Sequence, residues 1–315
     1  GETRRHRHRS AVPQGRREGA ADTPMNKPRQ PGHQRPRRTA QAAARAPAVH
    51  APPHLRPLLG DAHAPPPGAA PQPAPPPSWL KLALEARAPA EFFAGLASLA
   101  LTRHLPRGDG QPVLVFPGLA ASDTSTLLLR QFARKLGYPG YGWAQGFNVG
   151  PRHGVVAGCR ERLHEIAEKY GRRVSVIGWS LGGVYAREVA KLHPDLVRQV
   201  ITLGSPFGGH PKSSNAYPLF KLLSGHRIDD PHLLARLREP PPVPTTSIYS
   251  RTDGIVAWHA SVQAHGELVE NIELAASHFG IGFNPLSLYA IADRLAQPEG
   301  AWQPFRREGL HGVFY

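Results

Sequence analysis

The residue best suited to nucleophilic chemistry in this 315-residue chain is a serine flanked by glycines, in the pentapeptide Gly-Trp-Ser-Leu-Gly at 178–182. The β-branched run at 174–177 predicts a buried strand before it, and the pattern at 184–190 predicts a helix after it. A serine at such a turn stands on strained backbone beside the free N–H groups of a helix N-terminus. Gly178 and Gly182 suit this geometry because side chains there would clash with the crossing backbone. The stretch predicts a nucleophile elbow at Ser180, although the pentapeptide alone also occurs in turns without chemistry.

A serine nucleophile needs a general base, and after a nucleophile elbow the partners follow in the order Ser, Asp or Glu, His. The candidate bases downstream are His226, His232, His259, His265 and His278. His278 is favoured because it lies four residues after the predicted strand at 269–274, in a loop that can reach the end of a neighbouring strand. His259 and His265 remain the main alternatives.

The acid is expected in the loop that follows the preceding strand. Asp253 stands there, shortly after the predicted strand Thr245–Tyr249. Its carboxylate would accept the Nδ1–H of His278, fix the tautomer and stabilise the imidazolium. The Asp-Gly dipeptide is also a common turn signal. Asp229 and Asp230 are alternative acids, but both fall inside a predicted lid.

Acyl transfer also needs an oxyanion hole, which is built from two backbone N–H groups. The first donor is the residue after the nucleophile, Leu181. The second is expected in the loop after the strand at 112–116, where Gly118 lets the backbone approach and Leu119 directs its N–H inward. Each donor contributes on the order of 3 kcal/mol to transition-state stabilisation.

The elements that must position these residues alternate between strand and helix. This alternation predicts an α/β fold, with a doubly wound, mostly parallel sheet and helices on both faces. The stretch at 208–244 breaks the pattern into short polar and Pro-rich pieces, and it predicts a lid or cap over the carboxyl edge of the sheet. The predicted strands are 112–116, 143–147, 174–177, 197–203, 245–249 and 269–274. The predicted helices are 122–136 with Ser122 or Asp123 as N-cap, 155–170, 184–190 and 285–296.

Residues 1–77 differ in composition from the rest of the chain. They hold 17 of the 35 prolines and 13 Lys and Arg against 4 Asp and Glu, so 13 − 4 = +9 of the net charge of +15 lies there. A segment with so few large apolar residues is predicted to be disordered, which leaves 78–315 as the globular domain. Its arginine runs favour at most non-specific polyanion binding, with no specific nucleic-acid motif. Met25, the only methionine, is a candidate start of translation, which would make 1–24 untranslated.

The stretch at 78–104 predicts two helical pieces separated by Pro89. Either it packs on the domain, or it forms a surface helix that touches a lipid interface or lines the substrate entrance. No apolar run reaches the ~18 residues of a membrane span, and no secretory signal is evident. The single cysteine, Cys159, excludes an internal disulfide and is predicted to be a small core residue. These features favour a cytoplasmic protein, with peripheral membrane association as an option.

The motifs together resemble the α/β-hydrolase superfamily, within it the lipase and esterase branch, over about 110–298. The resemblance rests on the elbow, the Pro117-Gly118-Leu119 loop, Asp253, His278 and the segment Gly-Ser-Pro-Phe-Gly-Gly at 204–209. It implies a Ser180–His278–Asp253 triad that hydrolyses esters without a metal or cofactor. Apolar residues in the predicted lid favour a hydrophobic acyl substrate: Tyr217, Leu219, Phe220, Leu222 and Leu223. Lipases of this type usually show His-Gly where this chain has Pro117-Gly118, and often His where it has Trp179, whose ring would lie beside the serine and shape the acyl pocket.

The same machinery serves thioesterases, acyltransferases and amidases. A different class of protein would reuse the fold as a non-catalytic binding module, with the basic segment at 1–77 binding polyanions. An intact Ser, Asp and His in the expected order favours the enzyme.

Overall fold

A computed structural model describes residues 73–225, 228, 230–307 and 314–315. The predicted start at Met25 lies outside the described residues, as does most of the segment 1–77 predicted to be disordered and to bind polyanions. Its last five residues are described and contact the domain, with the Ala74 N–H donating to Ser213 Oγ at 2.9 Å and the Pro77 carbonyl accepting from Asn215 Nδ2 at 3.0 Å. Two alternative site residues, His226 and Asp229, also lie outside the described residues.

The core of the fold is a six-stranded sheet in which every pairing is parallel. The strand order is β2-β1-β3-β4-β5-β6. The second strand therefore forms one edge beside the first, and the later strands are added in chain order towards the opposite edge. Because all strands run the same way, the loops that follow them meet at one edge of the sheet. The strands are β1 Val113–Phe116, β2 Gly140–Gly142, β3 Val174–Trp179, β4 Val197–Leu203, β5 Thr245–Tyr249 and β6 Val269–Glu273.

Helices cover both faces of this sheet. Alternate residues of β1 belong to two separate apolar cores: Val113 and Val115 pack with one pair of helices, and Leu114 and Phe116 with the other. The first pair is α3 Leu127–Leu136 and α8 Pro285–Leu295; the second is α4 Val155–Tyr170 and α5 Leu181–Leu192. Burial on both faces explains why these strands are apolar throughout. The predicted fold class is confirmed: an α/β fold with a doubly wound parallel sheet and helices on both of its faces.

The other α-helices among the described residues are α1 Trp79–Leu84, α2 Ala88–Ser98, α6 Tyr217–Ser224 and α7 Pro231–Arg238. A 3₁₀ turn, Glu85–Arg87, joins α1 to α2. The inner face of α2 packs on the domain, with the Phe92 ring 5.3 Å from that of Phe283, whereas Phe93 is 66% exposed. The segment therefore packs on the domain through one face and exposes the other, and contact of the exposed face with a lipid interface or the substrate entrance stays a prediction. In the part of the chain that the structure describes, no helix is long and apolar enough to cross a bilayer.

Two local predictions between β1 and α4 are wrong. The helix predicted from 122 begins at Leu127, with Thr126 as N-cap, because residues 123–126 form turns. The Asp123 carboxylate instead accepts hydrogen bonds from the backbone N–H groups of Trp143 and Ala144, at 2.9 and 3.0 Å. The strand predicted at 143–147 lies earlier, at Gly140–Gly142. Positive φ angles of 60° at Ala144 and 74° at Gly146 turn the chain away from the sheet there.

We expect Asp123→Ala to lower the free energy of unfolding by about 1–3 kcal/mol, because it leaves two backbone donors without their acceptor. Urea unfolding checks this, with Asp195→Ala as a control at an exposed aspartate. Equal midpoints for the two variants would contradict the role of Asp123.

Candidate active site

Three predicted side chains meet at the carboxyl edge of the sheet. Ser180 follows β3, Asp253 follows β5 and His278 follows β6. His278 Nδ1 lies 2.7 Å from Asp253 Oδ2, and its Nε2 lies 3.0 Å from Ser180 Oγ. Asp253 and His278 are 3% and 4% exposed, whereas Ser180 is half-buried. The arrangement is a continuous chain of hydrogen bonds from a buried carboxylate to a hydroxyl that solvent can reach.

The alternative acid and bases that the structure describes take no part in this chain of hydrogen bonds. Asp230 caps α7 by accepting the backbone N–H of His232, which is exposed. His259 stacks on Trp258, with ring centroids 3.6 Å apart. His265 is exposed.

Ser180 stands on strained backbone, with φ 52° and ψ −122°. L-residues pay for such a conformation, and it persists only where the surroundings impose it. A Cβ at Gly178 would overlap Gly183, and one at Gly182 would overlap the backbone of Phe116. The two glycines therefore let β1, β3 and α5 close tightly around the serine, as the pentapeptide predicts.

The end of β4 passes directly below the carboxylate–imidazole pair. Gly204 has φ 54°, and a Cβ there would lie 3.2 Å from both Asp253 Oδ2 and His278 Nδ1. Glycine at 204 thus removes both backbone strain and crowding. The second oxygen of Asp253, Oδ1, accepts the backbone N–H groups of Ile255 and Val256, each at 2.8 Å. Both carboxylate oxygens are therefore held in place.

The loop after β1 lies beside the serine. A Cβ at Gly118 would be 3.3 Å from Ser180 Cβ, and the next residue but one, Ala120, has a positive φ of 55°. Asn148, which the sequence does not single out, fixes this loop. Its side-chain Nδ2 donates to the Pro117 carbonyl at 2.9 Å, and its backbone carbonyl accepts the Ala120 N–H at 2.8 Å. Asn148 is buried.

The two predicted oxyanion donors occupy different elements. Leu181 is the first residue of α5, where backbone N–H groups have no partner within the helix. Leu119 lies in the loop after β1, and within the described chain no acceptor takes its N–H. The helix N-terminus adds a positive dipole end to this region.

Two acidic residues from the N-terminal helices also reach the site. Glu85 accepts backbone N–H groups of Gly254 and His278, each at 2.8 Å. Glu91 accepts the N–H of Ser277 at 3.0 Å and also the Ser277 hydroxyl. Sequence analysis missed both, since each partner lies more than 160 residues away along the chain.

Trp179, predicted to place a large apolar ring beside the serine, lies in the core below it. The ring is 7% exposed and packs edge-on against Phe283, with centroids 5.0 Å apart. Its Nε1–H donates to the His278 carbonyl at 3.1 Å. The residue before the serine thus holds the loop that carries the histidine.

The pKa of His278 is raised above its ordinary value. Burial is the largest influence and lowers it, but the negative charge and hydrogen bond of Asp253, together with the charge of Glu85, outweigh burial. The protonated, positively charged form of His278 is therefore more stable here than it would be in a buried site without these carboxylates. Among the described residues, no group of three His, Cys, Asp or Glu is arranged to hold a metal ion.

We expect Asp253→Asn to bring the pKa of His278 below its ordinary value of 6.5. Burial lowers this pKa, and the variant lacks the negative charge that mainly offsets burial. Titration of the imidazole by ¹H–¹⁵N NMR measures this directly. Asp195→Asn, at an exposed aspartate, is the matched control and should leave the titration of His278 unchanged. An unchanged pKa of His278 in the variant would contradict this account of the pair.

No protein-family model and no curated protein matches this sequence. Among solved structures, it is similar to Aspergillus fumigatus lipase B, at 20% identity and a TM-score of 0.49 over 63% of this chain; the chain covers only 57% of that protein. It is also similar to Bacillus licheniformis lipase BlEst2 in mature form, at 19% identity and a TM-score of 0.47, over 60% of this chain and 94% of that one. A monoacylglycerol lipase from Paleococcus ferrophilus matches at 16% identity and a TM-score of 0.42, over 61% and 96% of the two chains. At these values the likeness assigns no activity to this chain.

Proposed function

We propose that this protein is a serine hydrolase that cleaves carboxylic esters through an acyl-enzyme. The observation that carries the proposal is the hydrogen-bonded chain from Asp253 through His278 to Ser180, with the serine on a strained turn at the N-terminus of α5. Buried carboxylate, imidazole and accessible hydroxyl in this order are the groups that nucleophilic acyl transfer needs.

The first half of the reaction forms the acyl-enzyme. His278 Nε2 removes the hydroxyl proton of Ser180 while Oγ bonds to the ester carbonyl carbon, and the carbonyl oxygen becomes negative. Asp253 accepts the Nδ1–H throughout and stabilises the imidazolium. When the intermediate collapses, the carbon–oxygen bond to the alcohol breaks and His278 returns the proton to the leaving alcohol. Water then attacks the acyl-enzyme with the same base, which releases the acid and restores Ser180.

The negative oxygen would be held by the backbone N–H groups of Leu119 and Leu181. Support comes from the N–H of Leu119, which no acceptor takes among the described residues, from the position of Leu181 at the start of α5, and from the close approach of Gly118 to the serine. Two donors fixed before the reaction cost no reorganisation when charge develops, and each contributes roughly 3 kcal/mol.

We further propose that the acyl group is apolar. Phe279 is 55% exposed and its ring lies 5.9 Å from that of His278. The segment that carries Glu85 and Glu91 also exposes large apolar side chains, among them Trp79, Leu80 and Phe93. These exposed apolar side chains favour substrates that bury hydrocarbon, and they would also suit peripheral contact with a lipid surface.

We expect Ser180→Ala to lower the rate of p-nitrophenyl ester hydrolysis by about 10⁴-fold or more, because the nucleophile is lost. Initial rates are measured with esters from acetate to palmitate. Ser78→Ala, at an exposed serine whose side chain makes no cap hydrogen bond, is the matched control and should keep the wild-type rate.

The outcomes separate the alternatives. A rate that rises with acyl length supports the apolar substrate, and a maximum at acetate contradicts it. If no ester reacts but a fluorophosphonate still labels wild-type protein and not Ser180→Ala, the serine is active and the substrate is a thioester or amide instead. Equal labelling or equal turnover in wild type and Ser180→Ala would contradict Ser180 as the nucleophile.

A further inference from the structure

We propose that Glu85 is a positioning residue of this active site. From the turn between α1 and α2, its carboxylate fixes the loops of both Asp253 and His278, and it places a second negative charge beside the imidazole. This inference rests on the proposed role of His278 as the general base. The N-terminal helices, which lie before the sheet in the sequence, would then be part of the catalytic apparatus.

The contacts of Glu85 are made with the two loops that matter. One oxygen, Oε1, accepts the N–H of Gly254, the residue after the acid, and the N–H of His278 itself, each at 2.8 Å. The other, Oε2, accepts the N–H of Phe279 at 3.0 Å. Glu85 is 8% exposed, so these charge-assisted bonds are little weakened by water. One carboxylate therefore ties the loop after β5 to the loop after β6.

Glu85 completes a set of restraints on His278. The backbone amide of His278 donates to Glu85, and its backbone carbonyl accepts from Trp179 at 3.1 Å. Its ring Nδ1 is paired with Asp253. Only Nε2, which faces Ser180, is left to exchange a proton. A displacement of about 1 Å in such a base can cost ~10²-fold in rate. The restraint on the amide is the one that only Glu85 supplies.

The charged groups around the imidazole indicate an electrostatic role as well. From the loop after β5, Asp253 contacts the ring; from the N-terminal helices, Glu85 contacts the residue's amide. Glu91 contacts Ser277, one residue away, and Arg87 bonds Thr252 at 2.6 Å and Glu91 at 3.4 Å. The charge of Glu85 raises the pKa of His278, in addition to the larger effect of Asp253. It should therefore favour the imidazolium that forms when Ser180 attacks.

The test compares Glu85→Gln, Glu85→Asp and Glu91→Gln with the wild-type full chain. Glutamine keeps the size of Glu85 and one acceptor oxygen but loses the charge, whereas aspartate keeps the charge on a shorter side chain. Glu91→Gln makes the same substitution on the same segment, at a residue that does not contact His278. The readouts are the pH dependence of the rate at which a fluorophosphonate labels Ser180, kcat and KM for the best ester, and NMR titration of His278.

For Glu85→Gln we expect the plateau labelling rate and kcat to fall about 10- to 100-fold with little change in KM. The acid limb is the part of the pH profile in which the labelling rate rises as His278 loses its proton. It should move to lower pH by about 0.5–1 unit, because loss of the negative charge lowers the pKa of His278. The rate at acid pH, relative to the plateau, should therefore rise. Glu85→Asp should lose rate with an unmoved limb, and Glu91→Gln should leave the limb unmoved.

Two results would overturn the proposal. One is a Glu85→Gln variant with wild-type plateau rates; the other is an acid limb and a His278 titration that move no further than in Glu91→Gln. A purely structural role for Glu85 predicts the second result together with lower stability. If wild-type Ser180 is not labelled at all, the proposed function fails, but the NMR titration still reports whether Glu85 acts on His278.

Discussion

The structure depends on a hydrogen bond between two groups that are both withdrawn from water, Asp253 and His278. A buried carboxylate is tolerated only when its oxygens are paired, and Asp253 meets this condition with two backbone N–H groups on Oδ1 and the imidazole on Oδ2. The pair has value for chemistry only when neither partner can turn away. Gly204, which passes close to both side chains, and Glu85, which accepts the His278 amide, both help to keep the pair in place.

The sheet by itself cannot bring the histidine to the serine. Ser180 follows β3 and His278 follows β6, and β4 and β5 lie between them. Neighbouring strands are roughly 4.8 Å apart, so three spacings amount to about 14 Å, which is longer than an imidazole side chain reaches. The loop after β6 has to fold back across the ends of β5 and β4. Glu85 bonds the His278 amide in that loop and the Gly254 amide in the loop after β5, and Glu91 bonds Ser277, so both carboxylates hold the folded-back loop in position.

What can be predicted from the sequence follows from the range of the interactions involved. The helix Val155–Tyr170 and the strands Val197–Leu203 and Thr245–Tyr249 have the predicted bounds, because periodicity and turn residues determine them locally. The start of α3 does not, because the Asp123 carboxylate bonds Trp143 and Ala144 rather than its own helix. The elbow glycines and the order of Ser180, Asp253 and His278 are visible as short motifs. Glu85 and Asn148 are not, since their partners come together only in the folded chain.

The position of Trp179 shows how one strand serves two parts of the site. Successive residues of a strand point to opposite faces, so Ile177 and Trp179 both face the core shared with α8. The Trp179 ring therefore packs below the turn, against Phe283, and its N–H reaches the His278 carbonyl. Trp179, whose side chain restrains His278, is therefore the residue directly before the strained backbone of Ser180. One of the restraints on His278 therefore comes from the same strand that leads into Ser180, whose Oγ lies 3.0 Å from His278 Nε2.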